Sequence, residues 1–226
     1  MQAFYFAVWF LVAAVTACDA QPYSLRGIML GITLDEFRAT SYPDQKKGEE
    51  VRVICTGDKE QRRALTGTDE SLTVFGLNAK LGIRRCNFFR KLEGTVSFDF
   101  ELLPLNVANV IAFQLYEFAP AIHNRNQYRL FRISIRTRSE NWDQIFDAYR
   151  ERFGFPTSID HSVIQTRLGA TFENTVADWK GTNSSIRLIK RFERIDSLRI
   201  YYALDSLIDD LKARGEAIEG RPSSKL

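Results

Sequence analysis

The feature that most constrains the fold of this chain is an alternation of apolar and polar residues between Phe172 and Leu204. Successive side chains of a β-strand point to opposite faces, so a period of two is what a half-buried antiparallel strand requires. Residues 180–185 interrupt the alternation with Gly, Thr, Asn and Ser, which are typical of a turn. The pattern predicts the last strands of an antiparallel sheet: 177–179, 186–189 and 198–202.

Strands are also predicted upstream of this region. Residues 51–55 and 71–77 are short candidates, and 84–138 has the pattern of an antiparallel meander. Within the meander, 107–118 is so uniformly apolar that we place it centrally in the sheet. Its most regular alternation lies at 96–102, and a returning strand is expected at 128–137.

Two helices flank this pattern at the ends of the chain. Thr33 is a good N-cap and Glu36 completes a capping box, which indicates a short helix. Residues 204–214 place apolar side chains at helical spacing and predict a closing helix.

The strongest helix prediction covers residues 141–153. Asn141 and Gln144 have the spacing of reciprocal capping residues, and Gly154 is a good stop signal. One buried stripe is expected along it: Trp142, Ile145, Phe146, Tyr149 and Phe153. Together these patterns predict an α+β fold, an antiparallel sheet with a layer of a few helices on one face.

Length and composition agree with a single domain. A chain of 226 residues that is 45% hydrophobic can build a sizeable core. We expect one α+β domain over 21–214, with two related halves at 27–140 and 141–214 as the alternative organisation, and a disordered tail at 215–226. The net charge of +3 is only mildly basic and does not indicate nucleic-acid binding.

Residues 1–20 predict export. They begin with an uncharged apolar run that ends in small residues, as in a secretory signal, although no Lys or Arg precedes it. The segment Val15-Thr-Ala-Cys18 resembles the bacterial lipobox, in which the cysteine is lipidated. Cleavage after Ala17 or Ala20 and retention of the segment as an anchor are the alternatives. Each alternative implies the periplasmic side of a bacterial membrane.

The cysteines are consistent with export. If Cys18 is lipidated, Cys55 and Cys86 remain as a pair, and a disulfide between two predicted strands suits an oxidising compartment. Two buried reduced thiols are the alternative interpretation.

Two segments resemble known scaffolds. Gly31-Ile-Thr-Leu-Asp-Glu-Phe37 is similar to the helix start of the small lipoproteins of the outer-membrane assembly machinery. Residues 146–157, the Trp179 strand and 186–188 resemble segments of proteins like the β-lactamase inhibitor protein. The resemblance implies a helical layer on an antiparallel sheet, sometimes duplicated, that acts by protein–protein contact. It implies no particular binding residue.

The sequence offers little that could carry catalysis. Its two histidines, His123 and His161, have no second His or Cys at metal-ligand spacing. Asp160, His161 and Ser162 are too close in sequence to orient one another as a triad. No Gly-rich phosphate loop or Gly-x-Ser-x-Gly elbow is present. We therefore expect no catalytic residue, no metal and no cofactor. An enzyme with an unrecognised site is the third hypothesis, after the two binding functions given below.

Among the residue types that could form a binding site, arginine gives the clearest pattern in this sequence. Several arginines have the parity of one sheet face and are the candidate binding residues: Arg132, Arg136, Arg138, Arg187, Arg191 and Arg199. Like charges on neighbouring strands repel unless an anion or an acidic group lies between them. The alternative is a solvated face whose charges are interleaved with acids: Glu173, Glu193, Asp196 and Asp99.

These observations favour a non-enzymatic, membrane-tethered extracytoplasmic protein that binds another envelope protein. The second reading is an exported domain that holds an anionic lipid or glycan on the arginine side chains. Basic residues near a membrane surface each contribute about 1 kcal/mol of attraction to anionic lipid. Nucleic acid is not an expected partner.

Overall fold

A continuous antiparallel sheet organises the chain. The computed structural model describes residues 21–65, 71–93 and 99–220. Within these residues the strands are β1 (Ser24–Leu25), β2 (Ile28–Met29), β3 (Val51–Cys55), β4 (Ala64–Leu65), β5 (Arg84–Lys91), β6 (Phe100–Leu102), β7 (Leu105–Val107), β8 (Val110–Pro120), β9 (Tyr128–Arg138), β10 (Ser158–Gln165), β11 (Thr171–Lys180), β12 (Ser184–Ile189) and β13 (Ser197–Leu204). The helices are α1 (Leu34–Ala39), α2 (Gly76–Lys80), α3 (Trp142–Phe153) and α4 (Asp205–Glu219), with 3-10 turns at Lys59–Arg63 and Ser139–Asn141.

The sheet has 11 strands in the order β10-β11-β12-β13-β9-β8-β5-β6-β4, with β3 paired to β5 and β7 to β8. All of these neighbours are antiparallel except β4 and β6. The separate hairpin β1–β2 precedes α1. An antiparallel sheet with a few helices is the predicted α+β class, which is confirmed.

The chain runs twice through a similar order of elements. α1 precedes the strands β3, β5, β8 and β9, which are neighbours in that order, and α3 precedes the consecutive neighbours β10 to β13. The last strands of the two runs, β9 and β13, pair antiparallel at the centre, with Ile135 opposite Ile200. The two runs therefore form one sheet. They correspond to the possible halves at 27–140 and 141–214, whose boundaries stay a prediction.

One face of the sheet carries the main core together with α1 and α3. Phe37 of α1 lies among aromatic rings of the sheet, with centroid distances of 4.7 Å to Tyr116 and 5.1 Å to Phe88. Tyr149 of α3 and Tyr202 of β13 share a buried hydrogen bond of 2.7 Å between their hydroxyl groups. This face is the predicted helical layer, and we call it the helical face.

The capping predictions have different outcomes. Thr33 and Glu36 form the predicted capping box, in which each accepts a hydrogen bond from the other's backbone. Asn141 makes no side-chain cap, because its side chain donates instead to Thr137. Gln144 donates to the carbonyl of Ala108 on the β7–β8 turn. The predicted reciprocal cap of α3 is therefore wrong, although the helix itself and its stop at 154 are confirmed.

α4 packs against the opposite face of the sheet. Its Leu207 and Leu211 form a cluster with Ala119 of β8 and Phe131 of β9. Ala119 follows Phe118, which belongs to the main core, and adjacent strand residues point to opposite faces. A register shift in the β8–β9 pairing leaves Phe131 without a partner on β8. α1 and α3 thus form the predicted helical layer on one face, whereas α4 lies on the opposite face.

Several predicted boundaries are wrong. Residues 71–75 form no strand, and 76–80 form α2 instead. Strand β10 was not predicted. α4 continues to 219, so residues 215–219 of the predicted tail are helical. Of the predicted strand 96–102, residues 96–98 lie outside the described part of the chain and 100–102 form β6.

A disulfide joins Cys55 and Cys86, which are directly opposite each other on β3 and β5. The predicted pairing is confirmed and the alternative of two reduced thiols is not. A disulfide of this kind is compatible with an exported protein, because exported proteins meet oxidising conditions. Among the helices that the structure describes, none has the length and apolar character needed to cross a membrane.

Candidate functional site

Five of the six predicted arginines lie on strands and point to the sheet face opposite the helical face. Arg199 of β13 lies directly opposite Arg136 of β9, and Tyr201 lies opposite Ser134 in the next row. Arg187 of β12 lies opposite Tyr201 on its other side. We call this surface the arginine face and define it by its side chains: Asp178, Arg187, Arg199, Tyr201, Arg132, Ser134, Arg136, Phe113, Leu115 and Glu117.

Arg132 is neutralised by a buried acid. Its Nε donates to Glu117 Oε2, and Arg85 on β5 donates from Nε to Glu117 Oε1 at 3.1 Å. The Glu117 side chain is only 2% exposed. Burial disfavours the charged form of Arg132, but the adjacent carboxylate more than offsets this and raises the pKa of Arg132. One carboxylate is therefore shared by two guanidinium groups in the interior of this face.

Arg187 is paired in a similar way at the other end of the face. Its Nε and Nη2 donate to the two carboxylate oxygens of Asp178 on β11, at 2.7 and 3.1 Å. This hydrogen bonding raises the pKa of Arg187. The Asp178 side chain is buried, whereas that of Arg187 is 57% exposed. The acids that neutralise Arg132 and Arg187 are thus Glu117 and Asp178, neither of which belongs to the predicted interleaved set.

Arg199 has no comparable acidic partner. The residue is 8% exposed, and its guanidinium carbon lies 5.3 Å from the centre of the Phe192 ring. Its buried Nε has no hydrogen-bond partner among the residues that the structure describes. Phe192 packs edge-on against Tyr201, with ring centroids 5.7 Å apart. The β12–β13 loop therefore folds back over the arginine face and covers Arg199.

A cleft of about 160 Å³ opens beside Arg199. We call it the Arg199 cleft, and its lining consists of Arg85, Leu115, Glu117, Arg132, Ser134, Phe192, Glu193, Arg199 and Tyr201. Burial raises the pKa of Tyr201, although the nearby Arg199 and Arg132 act in the opposite direction. The Tyr201 hydroxyl is therefore protonated at neutral pH and available as a donor.

A wider groove borders the same face at the end of β9. Its volume is about 640 Å³, and it combines arginines with apolar side chains. Ile111 is 69% exposed and Phe113 is 36% exposed on β8. The guanidinium carbon of Arg136 lies 5.7 Å from the Phe113 ring centre. This outer groove is lined by Asn109, Val110, Ile111, Phe113, Arg136, Thr137, Arg138, Asn141, Gln144, Arg194, Asp196 and Ser197.

Two of the predicted arginines lie at the margin of the face. Arg138 pairs with Glu140 at 2.9 Å beyond the end of β9. Arg191 lies in the β12–β13 loop, where its Nε donates to the carbonyl of Glu173 and its guanidinium lies over the Phe172 ring. Arg138 thus lies at the end of the same face as Arg136, two residues further along β9, whereas Arg191 lies off this face in the loop.

Sequence reasoning missed the residues that set the electrostatics of this surface. Glu117 lies within the apolar segment 107–118, and a single acid in a buried strand is a signal for a buried ion pair. Arg85 had no local signal, because its approach to Glu117 depends on the β5–β8 register. Phe192 lies in a loop, and nothing in the alternation indicates that this loop returns over the sheet.

The remaining candidates form no catalytic arrangement in the described chain. His161 lies on the exposed edge strand β10, where its Nδ1 is 3.3 Å from the Thr175 hydroxyl. His123 lines a small pocket near α4. The described residues contain no group of three or more His, Cys, Asp or Glu placed to hold a metal ion. Cys18, the predicted lipidation site, lies outside the described residues.

Comparisons with protein-family models, with curated proteins and with solved structures give no match for this chain. The resemblance to outer-membrane-assembly lipoproteins and to proteins like the β-lactamase inhibitor protein therefore stays a prediction.

Proposed function

We propose that this chain is a non-enzymatic, exported, membrane-tethered protein that binds another envelope protein through its arginine face and the adjoining outer groove. The observation that carries the proposal is the mixture of side chains on this surface. Exposed Ile111 and Phe113 lie beside Arg136, Arg138 and Arg194. Aromatic residues and arginine are enriched in protein interfaces, and interface hot spots are rich in arginine.

The fixed position of these arginines also supports recognition of a partner. Arg132 and Arg187 are each held by a buried acid, so their guanidinium groups lose little rotational freedom when a partner binds. Their exposed edges keep hydrogen-bond donors for acidic or carbonyl groups across an interface. A partner with acidic side chains around an apolar centre would complement this surface.

Export is supported by the disulfide between Cys55 and Cys86. The apolar segment 1–17 and the lipobox-like residues before Cys18 favour a lipid anchor on the periplasmic side of a bacterial membrane. Intact mass of the protein from its native host tests this: a diacylated chain beginning at Cys18 is expected. A mature chain without lipid would mean a diffusible domain.

Thiol alkylation tests the compartment independently. We expect Cys55 and Cys86 to resist labelling in unreduced periplasmic protein and to label after reduction. Labelling of both thiols without reduction would contradict an oxidising location.

Site-specific photocrosslinking tests the interface in the native envelope. A photoreactive residue at Ile111 should give one discrete protein adduct, and Arg136→Glu should abolish it. The matched control is the same residue at Leu168, which is 97% exposed in the β10–β11 turn far along the sheet. Equal adducts from both positions, or none from Ile111, would contradict the proposal.

The anionic lipid or glycan reading gives a different result in a second assay. Sedimentation with vesicles containing phosphatidylglycerol should then show salt-sensitive binding that is lost on substitution of Arg132, Arg136 and Arg187. Vesicle binding without a protein adduct would favour this alternative, since a protein interface does not require lipid.

A further inference from the structure

We propose that the Arg199 cleft is a binding site for a carboxylate group, with the Arg199 guanidinium as its anchor. The proposal deepens the function proposed above, and rests on it only for the source of the carboxylate. The chemistry of the cleft itself is independent of any partner.

The first argument is the balance of charge around the cleft. Arg85, Arg132 and Arg199 line it, and both carboxylate oxygens of Glu117 already accept hydrogen bonds from Arg85 and Arg132. Glu193 also lines the cleft, yet no ion pair joins it to Arg199 within the described chain. Of the three arginines that line the cleft, Arg199 is thus the buried one, and no acid in the described chain is hydrogen-bonded to it. Burial of an uncompensated charge is costly, and an added anion would remove that cost.

The second argument is the orphaned donor. The Nε of Arg199 is buried without a partner in the described residues, and the side chain that carries it borders the cleft. Buried polar groups are hydrogen-bonded in the great majority of proteins, so such a group calls for a binding partner. Guanidinium is planar and offers parallel N–H donors that match the two oxygens of a carboxylate.

The third argument is the remaining lining. Ser134 and Tyr201, which lie opposite each other on β9 and β13, both line the cleft and carry hydroxyl groups that can donate. Phe192 and Leu115 supply apolar surface at the same opening. Most of the exposed lining is nevertheless polar, so the cleft suits a small carboxylate rather than an extended apolar ligand.

The size of the cleft selects among anions. A volume of about 160 Å³ accommodates a carboxylate with a few carbon atoms. An Asp or Glu side chain of a protein partner and a free small carboxylic acid both fit this description. A polyphosphate or an oligosaccharide would extend far beyond the cleft.

The binding test uses the isolated protein and acetate. Thermal unfolding is followed at constant ionic strength and pH while sodium acetate replaces sodium chloride, because a ligand that binds the native state raises the midpoint. Acetate should raise the midpoint of the wild type. Arg199→Gln should weaken the apparent affinity by about tenfold or more, as expected for loss of a charge-assisted hydrogen bond.

Two further variants separate a bound carboxylate from general charge effects. Arg167→Gln removes an exposed arginine in the β10–β11 turn, away from the arginine face, and should leave the acetate effect unchanged. Ser134→Ala leaves all arginines of the face in place and should weaken acetate binding several-fold. It therefore tests the carboxylate site even if Arg199→Gln does not fold. An acetate effect that is absent in the wild type, or equal in wild type and both cleft variants, would overturn the proposal.

A comparison of peptides with acetate distinguishes the two sources of the carboxylate. Short peptides with one central Glu or the matching Gln are titrated by isothermal calorimetry against wild type and Arg199→Gln protein. Tighter binding of the Glu peptide than of acetate, dependent on Arg199, would assign a partner side chain. Equal or weaker binding of the peptide than of acetate would assign a free small acid. If acetate binds through Arg199 but Ile111 gives no protein adduct, the carboxylate site is supported and the proposed binding of an envelope protein is rejected.

Discussion

At the residue scale, the unusual feature of this sheet is the set of charged side chains buried on one of its faces. Glu117 holds two arginines in the interior, whereas Arg199 lies beside them with an unpartnered Nε in the described chain. The difference arises because one carboxylate has two oxygens, and both are engaged. Glu117 thus neutralises Arg85 and Arg132 but leaves the Nε of Arg199 without a partner in the described chain.

A buried pair of tyrosines gives a sharp stability prediction. Tyr149 and Tyr202 are almost fully buried and share one hydrogen bond. Tyr202→Phe should lower the free energy of unfolding by about 1–3 kcal/mol, because the Tyr149 hydroxyl loses its partner. Urea denaturation measures this change. The double variant Tyr149→Phe/Tyr202→Phe should be less destabilised than the sum of the two single variants, and simple additivity would contradict the coupling.

The capping box of α1 makes one contribution to stability pH-dependent. Hydrogen bonds from the backbone and then the side chain of Thr33 lower the pKa of Glu36 below its ordinary value. Because the folded-state pKa is depressed, the contribution is full above the unfolded pKa and is lost as pH falls through the folded pKa. Wild type should therefore exceed Glu36→Gln in stability near neutrality, with the difference vanishing in acid.

Denaturation midpoints across the acid range measure this difference. Glu151→Gln is the matched control, since it removes an equal charge from an exposed site on α3. A pH-independent gap between wild type and Glu36→Gln would mean that the carboxylate does not act through its charge.

At the element scale, the two least predictable parts are the edge strand and the last helix. β10 is exposed at almost every position, so neither of its faces is distinctly apolar. Its strand character comes from pairing with β11 over its full length. α4 has a clear apolar stripe, yet its side of the sheet depends on Phe131, which the register shift in β9 turns away from the helical face.

The position of α4 is testable through its buried leucine. Leu207 is 2% exposed and contacts the cluster on the arginine side of the sheet. Leu207→Ala should lower the free energy of unfolding by about 2–5 kcal/mol, because a buried cavity replaces its side chain. The exposed Asp209→Ala on the same helix is the control and should change it by less than about 0.5 kcal/mol. Equal effects would contradict the packing of α4 on the sheet.

At the scale of the whole molecule, the pairing of β9 with β13 decides how the chain unfolds. This seam joins the two similar runs through fully buried residues such as Ile135 and Ile200. A continuous sheet shares hydrogen bonds and core across the seam, so neither run can lose its structure without exposing the other.

We therefore expect one cooperative unfolding transition. Trp142 and Trp179, the tryptophans of the described residues, both lie in the second run, whereas far-UV circular dichroism reports on the whole chain. The fluorescence and dichroism midpoints of a chain lacking residues 1–20 should coincide. Ile200→Ala at the seam should lower both midpoints equally. Separate transitions would mean that the two runs are independent domains.

The sequence alone determined the features that depend on neighbours along the chain. Alternation predicted β11 to β13, helical spacing predicted α3, and the pair Thr33 and Glu36 predicted the start of α1. These signals are local because strand parity, helix periodicity and capping each act within a few residues. The α+β class follows from their sum.

Only the tertiary structure decided which of these elements meet. The β5–β8 register brings Arg85 to Glu117, the β9–β13 register sets Arg199 opposite Arg136, and the folded loop lays Phe192 over Arg199. The first two contacts join different strands, and the third joins β13 to the loop that precedes it. Their energies depend on register and burial, which no short stretch of sequence encodes. The sequence shows how many arginines there are, but the strand register of the folded sheet determines which residues they contact.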